Sequence, residues 1–247
     1  MRKLYSATTP CKAGCKYCFS KWNGVYAEQP QLSIEHICDG AAIIYPCCDG
    51  EFFDQLDIID ATKSIMEKME KVYVSISTKC AVTDSQLMSI IDLNNFLKNE
   101  GKGFVKFSVS ISNKSRLSEI EPRTASYEER IDIVRRLVSA GIPSSLTLKP
   151  ILPFIPDSEY FEILEDFSAV VNRVTVGGLY VCPNTPFYKQ YIKDRYSLEK
   201  RQVNWLEEKP SWDYVSDLAK ITRIKQRATE LGMQAYDCDA DLVTALA

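Results

Sequence analysis

Residues 104–151, FVKFSVSISNKSRLSEIEPRTASYEERIDIVRRLVSAGIPSSLTLKPI, contain the pattern that decides the fold. They begin and end with short runs in which apolar residues alternate with polar ones, as in strands. The segment between these runs starts with an S-x-x-E capping box, Ser126 and Glu129, and ends at Gly141, which are typical helix boundaries. The stretch therefore predicts two parallel strands joined by a helix.

The same alternation of strands and helices recurs from residue 1 to about residue 180. Six strand candidates are separated by segments in which apolar residues have helical spacing. The candidates are KLYSAT (3–8), AAIIYP (41–46), VYVSIS (72–77), FVKFSVSIS (104–112), SSLTLKPI (144–151) and VTVGGLYV (174–181). Six such units predict an α/β fold, a partial (βα)6 TIM-like barrel that is two units short of closure.

The pattern changes after residue 182. We expect residues 1–182 to form the barrel core and residues 183–247 to form a C-terminal helical elaboration packed on it. Within the latter, residues 188–205 mix basic and aromatic side chains with acidic ones. This mixture predicts a solvated amphipathic helix, although basic and stacking side chains can also hold single nucleotides or a flipped base.

Composition narrows the class of protein. The chain has 247 residues, 45% of them hydrophobic and 26% charged, with a net charge of −3. These values are typical of a globular protein and provide no electrostatic footprint for nucleic acid or an anionic membrane. We expect no secretory signal, no membrane span and a cytoplasmic location, where nine cysteines serve as metal ligands or reactive thiols.

The clearest chemical motif is CKAGCKYCF at residues 11–19, which directly follows the first strand candidate. Cys11, Cys15 and Cys18 could hold three irons of a [4Fe–4S] cluster and leave the fourth iron open. An open iron could bind a small molecule through an amine and a carboxylate, both of which S-adenosylmethionine has. The alternatives are structural cysteines or a zinc site, but zinc requires a fourth ligand, and His36 is the one histidine.

The C-x3-C-x2-C spacing, with Tyr17 before the last cysteine, resembles the signature of the radical S-adenosylmethionine (radical SAM) superfamily. The resemblance implies that Cys11, Cys15 and Cys18 bind the cluster and that Tyr17 lies near the adenine of the cofactor. It also implies that a 5′-deoxyadenosyl radical removes a hydrogen atom from a substrate.

The second strand candidate is followed by CCDGE, residues 47–51. Many members of the superfamily have GGE here, with an acidic residue that meets the amino group of S-adenosylmethionine, so Glu51 is a candidate for that role. The alternative is a solvated turn built on Asp49 and Gly50. Cys47 and Cys48 are either inert core thiols or hydrogen-atom donors to a carbon radical.

Two further stretches, STKCAVTD (77–84) and EPRTAS (121–126), resemble spore photoproduct lyase and related SplB-like proteins. This resemblance implies that Lys79 holds the carboxylate of S-adenosylmethionine and that Ser110 also contacts the cofactor. It places a catalytic, hydrogen-donating cysteine at Cys47 or Cys48. A lysine at the end of a strand suits a carboxylate, although it could also be a surface residue.

The sequence therefore predicts a radical SAM enzyme that acts on an unidentified small metabolite, nucleotide or peptide. One alternative is SplB-like repair of a DNA photoproduct, which the negative charge does not favour. A second alternative is a non-catalytic iron–sulfur protein. The chemistry also implies a low-potential electron donor, a flavodoxin or a ferredoxin.

Overall fold

The fold is described from a computed structural model of the chain. The structure describes residues 2–5, 11–22, 38, 42–47, 50–55, 57–203, 209–215 and 217–247. Cys48, His36 and Asp49 lie outside the described residues. None of the described helices has both the length and the apolar character needed to cross a membrane.

The core of the molecule is a sheet of parallel strands, in the order β1-β2-β3-β4-β5-β6-β10. Its strands are β1 (Arg2–Tyr5), β2 (Ile43–Pro46), β3 (Val72–Thr78), β4 (Gly103–Ser110), β5 (Ser144–Leu148), β6 (Arg173–Val176) and β10 (Gln234–Tyr236). The first six follow one another in chain order, as in a partial TIM barrel, and β10 adds a seventh strand beside β6. This arrangement confirms the predicted α/β partial barrel.

Helices connect the strands and follow the sheet. They are α1 (Phe19–Trp22), a 3-10 turn (Phe52–Asp54), α2 (Ile58–Lys68), α3 (Asp84–Asn99), α4 (Leu117–Ile120), α5 (Tyr127–Ser139), α6 (Asp157–Ser168), α7 (Pro186–Tyr191), α8 (Leu218–Glu230) and α9 (Asp239–Leu246). The capping box expected from the sequence forms at α5, where Ser126 and Glu129 each bond the other's backbone N–H. Local capping thus fixes where this helix begins.

The predicted strand 174–181 is wrong as a single element, because the chain changes sheets in its middle. β6 ends at Val176, and β7 (Leu179–Val181) belongs to a second sheet. The hydroxyl of Tyr214 accepts a hydrogen bond from the Gly178 N–H at 2.7 Å, and a Cβ on Gly178 would lie 2.5 Å from that oxygen. Only glycine permits this close approach, so the strand breaks here.

The predicted helix over 188–205 is also wrong. Helix α7 ends at Tyr191, whose ring is buried and stacks on Phe154 with 4.6 Å between the ring centroids. The chain then forms β8 (Glu199–Gln202), which pairs with β9 (Ser211–Val215) in a three-stranded antiparallel sheet, β7-β9-β8. The region after residue 182 therefore adds strands as well as helices.

The two faces of the parallel sheet differ sharply. One face is apolar and packs against helices such as α3 and α5. The opposite face, which we call the inner face, has the rings of Tyr73 and Phe104 at the start of its strands and hydroxyls and the Lys106 amine beyond them. Its residues in register are Ser75 and Lys106, Ser108 and Ser145, and Ser110, Thr147 and Thr175. TIM barrels usually fill this space with Val, Ile and Leu, so a polar interior is a distinctive property of this chain.

Lys106 places a positive charge on the inner face, and its side chain is completely buried. Its ammonium pairs with Asp239, the first residue of α9, and the Ser75 hydroxyl donates to the same carboxylate at 2.6 Å. Burial raises the pKa of Asp239, but Lys106 and Ser75 oppose it strongly enough that the pKa lies below its usual value. This contact ties the C-terminal helix to the sheet.

We expect Asp239→Asn to destabilise the fold by about 3 kcal/mol, because it leaves the Lys106 ammonium buried without a counter-charge. The contribution of Asp239 is present above its unfolded-state pKa and is lost as the pH falls through the lowered folded-state pKa. Urea unfolding would measure both effects. Asp92→Asn, on an exposed part of α3, is the control, and Lys106→Met in the Asp239→Asn background should recover most of the loss. An equal, small effect of the two aspartate substitutions would contradict the prediction.

Candidate functional site

The three-cysteine loop is braced by the end of α4 and by the segment that follows it. The Lys16 N–H donates to the Ile120 carbonyl at 2.9 Å, and the Arg123 N–H donates to the Ala13 carbonyl at 3.3 Å. Gly14 has a φ of +69°, and a Cβ there would lie 2.6 Å from the Arg123 guanidinium. The glycine therefore allows the loop to turn tightly under this arginine.

The thiols of the loop lie in a partly water-excluded setting. Cys15 is buried, whereas Cys11 and Cys18 are half-buried. Burial raises the pKa of Cys15 to about 12, although the nearby Lys79 ammonium opposes the rise. The Ala13 N–H donates to the Cys11 sulfur at 3.4 Å. Among the described residues, no three or more Cys, His, Asp or Glu side chains converge to hold a single metal ion.

Tyr17 lies beside the thiols, with its ring buried. Its hydroxyl donates to the carboxylate of Glu121, and its ring edge meets Phe187 at a centroid distance of 6.2 Å. The ammonium of Lys79 lies 5.9 Å from the centroid of the Tyr17 ring. Tyr17, Lys79 and the cysteine loop therefore share one neighbourhood.

Glu121 connects this neighbourhood to the body of the barrel through an ion pair. Its side chain and that of Arg130 are both completely buried, with 2.8 Å between the carboxylate oxygen and the guanidinium nitrogen. Arg130 also donates to the carbonyl oxygens of Ser110, at 2.6 Å, and Ala125, at 3.1 Å. The pair joins the end of β4 to the start of α5.

Lys79 follows the last residue of β3 and is half-buried. Burial lowers the pKa of its ammonium, but the interactions with Cys15 and the Glu121 carboxylate outweigh burial, so the pKa is raised. Lys79 is therefore a stable cation at the carboxyl end of the sheet, where barrels keep their sites.

Glu51 is buried, with 3% of the residue exposed, so the solvated-turn alternative does not describe it. Its carboxylate accepts hydrogen bonds from the Thr78 hydroxyl and from the Lys79 N–H, the latter at 3.2 Å. Burial raises the pKa of the Cys11 thiol, and the nearby Glu51 carboxylate raises it further. Burial raises the pKa of Glu51 itself.

Ser110 and Cys47 lie at the same edge of the sheet. The Ser110 hydroxyl donates to the Lys149 carbonyl at 3.1 Å, and its own carbonyl accepts from Arg130. Cys47 is buried directly after β2, with a φ of +55°, and its carbonyl accepts from the Gly50 N–H at 3.0 Å. Ser110 is thus connected to the Tyr17 neighbourhood through Arg130 and Glu121.

Sequence reasoning missed the buried ion pair. Glu121 was noted only within a motif, and Arg130 follows a capping box on a helix, where arginines are usually solvated. The hydroxyl of Thr78 and the thiol of Cys80 were also missed. Cys80 lies near Glu51, and its backbone N–H donates to the Thr78 hydroxyl at 3.0 Å. The one sequence signal for these residues is their position close to Lys79 and to the other charged residues that follow the strands.

Comparison with known structures supports the fold. Over 93% of this chain and 75% of the other, the structure matches spore photoproduct lyase complexed with dinucleoside spore photoproduct, at a TM-score of 0.65 and 13% identity. A mutant of that lyase with bound AdoMet and the dinucleoside matches at 0.66 and 14%, over 94% and 75%. SuiB of Streptococcus suis bound to S-adenosylmethionine matches at 0.59 and 11%, over 95% and 49%.

Comparison of the sequence gives the family. A search of curated proteins finds no match. The family model of the radical SAM superfamily matches residues 5–167, which include the cysteine loop, Glu51, Lys79 and the Glu121–Arg130 pair. Members of this family are enzymes that use S-adenosylmethionine and an iron–sulfur cluster. Because the match spans more than half of the chain, this protein belongs to the radical SAM superfamily.

Proposed function

We propose that this enzyme binds a [4Fe–4S] cluster through Cys11, Cys15 and Cys18 and cleaves S-adenosylmethionine reductively to act on a substrate. The observation that carries the proposal is the meeting of three thiols, the Lys79 cation and the buried Glu51 carboxylate at one edge of the sheet.

The residues fit such a cluster. In a cubane each thiolate binds a different iron, so the thiols need not converge on one point, which agrees with the lack of a single-ion site in the described part of the chain. The N–H bond to the Cys11 sulfur is of the kind that stabilises cluster ligands. When bound, the cluster and S-adenosylmethionine supply a 5′-deoxyadenosyl radical.

The surrounding side chains suit the ends of S-adenosylmethionine. Lys79 would pair with the carboxylate of S-adenosylmethionine, and Glu51 would accept a hydrogen bond from its amino group. The approach of an ammonium group would favour the ionised form of Glu51, whose pKa burial otherwise raises. Tyr17, whose hydroxyl is held by a hydrogen bond to Glu121, would provide a flat face for the adenine. Ser110 would also contact the cofactor.

The fate of the substrate radical depends on a hydrogen donor. We propose Cys47 or Cys48 for this role, since both follow β2 in the sequence and Cys47 is buried directly after that strand. The substrate is a small metabolite, a nucleotide or a peptide. The electrons come from a flavodoxin or a ferredoxin.

A second candidate function is repair of a DNA photoproduct. The match to spore photoproduct lyase over 93% of the chain favours it, whereas the net charge of −3 does not. A gel-shift assay with duplex DNA at low salt separates the two. Binding that weakens steeply with salt supports repair, and no binding at low salt supports a small substrate.

Replacing Lys79 by Met tests the cofactor site. Loss of a charged hydrogen bond is worth about 1.5–3 kcal/mol, so we expect S-adenosylmethionine to bind roughly ten to a hundred times more weakly. The affinity would be measured by equilibrium dialysis of the reconstituted protein. Lys71→Met, at the opposite end of the same strand, is the matched control. Equal affinities in the two variants would remove Lys79 from the site.

A further inference from the structure

The inner face of the sheet contains an unused polar group. Ser145 is completely buried, and its hydroxyl has no hydrogen-bond partner among the described residues. Ser145 lies in register with Ser108 of β4, and it precedes Thr147 by two residues on the same face of β5. A buried hydroxyl without a partner is costly, so Ser145 is available to bond a polar group that reaches the inner face.

The upper part of the inner face reaches solvent. Ser77, in register with Ser108, is exposed, and Thr147 is half-buried. A polar molecule entering from the carboxyl edge of the strands would therefore meet a wall of hydroxyls that leads down to Ser145.

Lys149 stands at the top of this wall, and no carboxylate of the described residues forms an ion pair with it, although Asp237 and Asp239 lie nearby. Its side chain crosses Gly177, and its ammonium donates to the main-chain carbonyl of Asp237. Burial lowers the pKa of Lys149, and the negative groups near it only partly offset this effect.

Arg201, on β8, is a second cation near Lys149. Its guanidinium lies 4.5 Å from the centroid of the Tyr214 ring, and it is close enough to Lys149 to oppose that residue's charge. The neighbouring Lys200 pairs with Asp213 at 2.9 Å, whereas Arg201 pairs with no described carboxylate. Tyr214 holds Arg201 above the junction of β6 and β7, because its hydroxyl bonds the Gly178 N–H.

The two carboxylates near Lys149 are paired with other cations, whereas Glu199, two residues before Arg201 on β8, is exposed. Asp239 is paired with Lys106, and the Asp237 carboxylate is paired with Lys225. In a chain with more acidic than basic residues, two neighbouring cations at the carboxyl end of the polar inner face are an arrangement that an anion would neutralise.

We propose that Lys149 and Arg201 form the binding site for an anionic group of the substrate, a carboxylate or a phosphate, while the hydroxyls of the inner face bind its polar remainder. The inference rests on the proposed function, since it assigns a substrate class to the same barrel. It favours polar, anionic metabolites or nucleotides over apolar substrates.

Thermal unfolding of the anaerobically reconstituted protein tests the site, with no S-adenosylmethionine and no reductant present. Inorganic phosphate, malonate and neutral glycerol would be titrated separately at constant ionic strength. We expect a rise in Tm that saturates with phosphate or malonate, whereas glycerol should give only the non-saturating rise of an excluded osmolyte. A response to phosphate alone identifies a phosphorylated substrate, and a response to malonate alone identifies a carboxylate.

Lys149→Met and Arg201→Gln should each weaken this anion binding roughly tenfold. The exposed Lys63→Met and Arg135→Gln variants should bind as the unaltered protein does, and the Tm without anion reports whether each variant is folded. No saturable shift in the unaltered protein, or equal affinities in all variants, would overturn the inference. Either result in a protein that still releases 5′-deoxyadenosine would leave the proposed function standing.

Discussion

Cys15→Ala is expected to abolish cluster assembly, so that the iron content falls from about four per chain to near zero and the brown colour is lost. Cys15 is the middle and most buried of the three loop cysteines. The measurement is iron and sulfide content after anaerobic reconstitution, together with the EPR spectrum after reduction.

The substitution removes only one buried sulfur, which costs about 1–2 kcal/mol, so the variant should remain folded. Cys182→Ala, which removes a half-buried thiol after β7, is the control and should retain the cluster. A Cys15→Ala protein with unchanged iron content and an unchanged EPR signal would contradict the assignment of the ligands.

Arg130→Met is expected to destabilise the fold by about 3–5 kcal/mol, because it leaves the Glu121 carboxylate fully buried without its cation. It also removes the guanidinium bonds to the Ser110 and Ala125 carbonyls. Since Glu121 holds the Tyr17 hydroxyl, the loss should extend to the geometry of the site.

Urea unfolding of the reconstituted protein would measure this effect. Arg135→Gln, on the exposed side of the same helix, should change stability by less than about 0.5 kcal/mol. Glu121→Gln combined with Arg130→Met should recover part of the loss, because no unpaired charge then remains. If Arg130→Met unfolded at the same urea concentration as Arg135→Gln, the pair would have no structural role.

The main architecture could be predicted because it depends on local periodicity. The six parallel strands and the capped helix α5 are visible in alternating or helical spacing and in capping residues close in sequence. The break at Gly178 could not be predicted in this way, because it depends on a contact with Tyr214, 36 residues later. The same applies to β10, a three-residue strand defined by pairing with β6.

The residues of the candidate site also fall into two groups, those that a local motif predicts and those that depend on tertiary contacts. The cysteine loop is a local motif, so its spacing was visible in the sequence. The Glu121–Arg130 pair and the burial of Glu51 are tertiary contacts, which residue type alone does not indicate. Alternation along β4 places Ser108 and Ser110 on one face, but their partners on the next strand, Ser145 and Thr147, appear only through register.

The most direct test of the central claim is release of 5′-deoxyadenosine by the reconstituted protein under a strong reductant, measured by chromatography. The account predicts that S-adenosylmethionine perturbs the EPR signal of the reduced cluster and that 5′-deoxyadenosine accumulates with time, with none from the Cys15→Ala variant. An intact, reduced cluster that releases no 5′-deoxyadenosine from S-adenosylmethionine would contradict it.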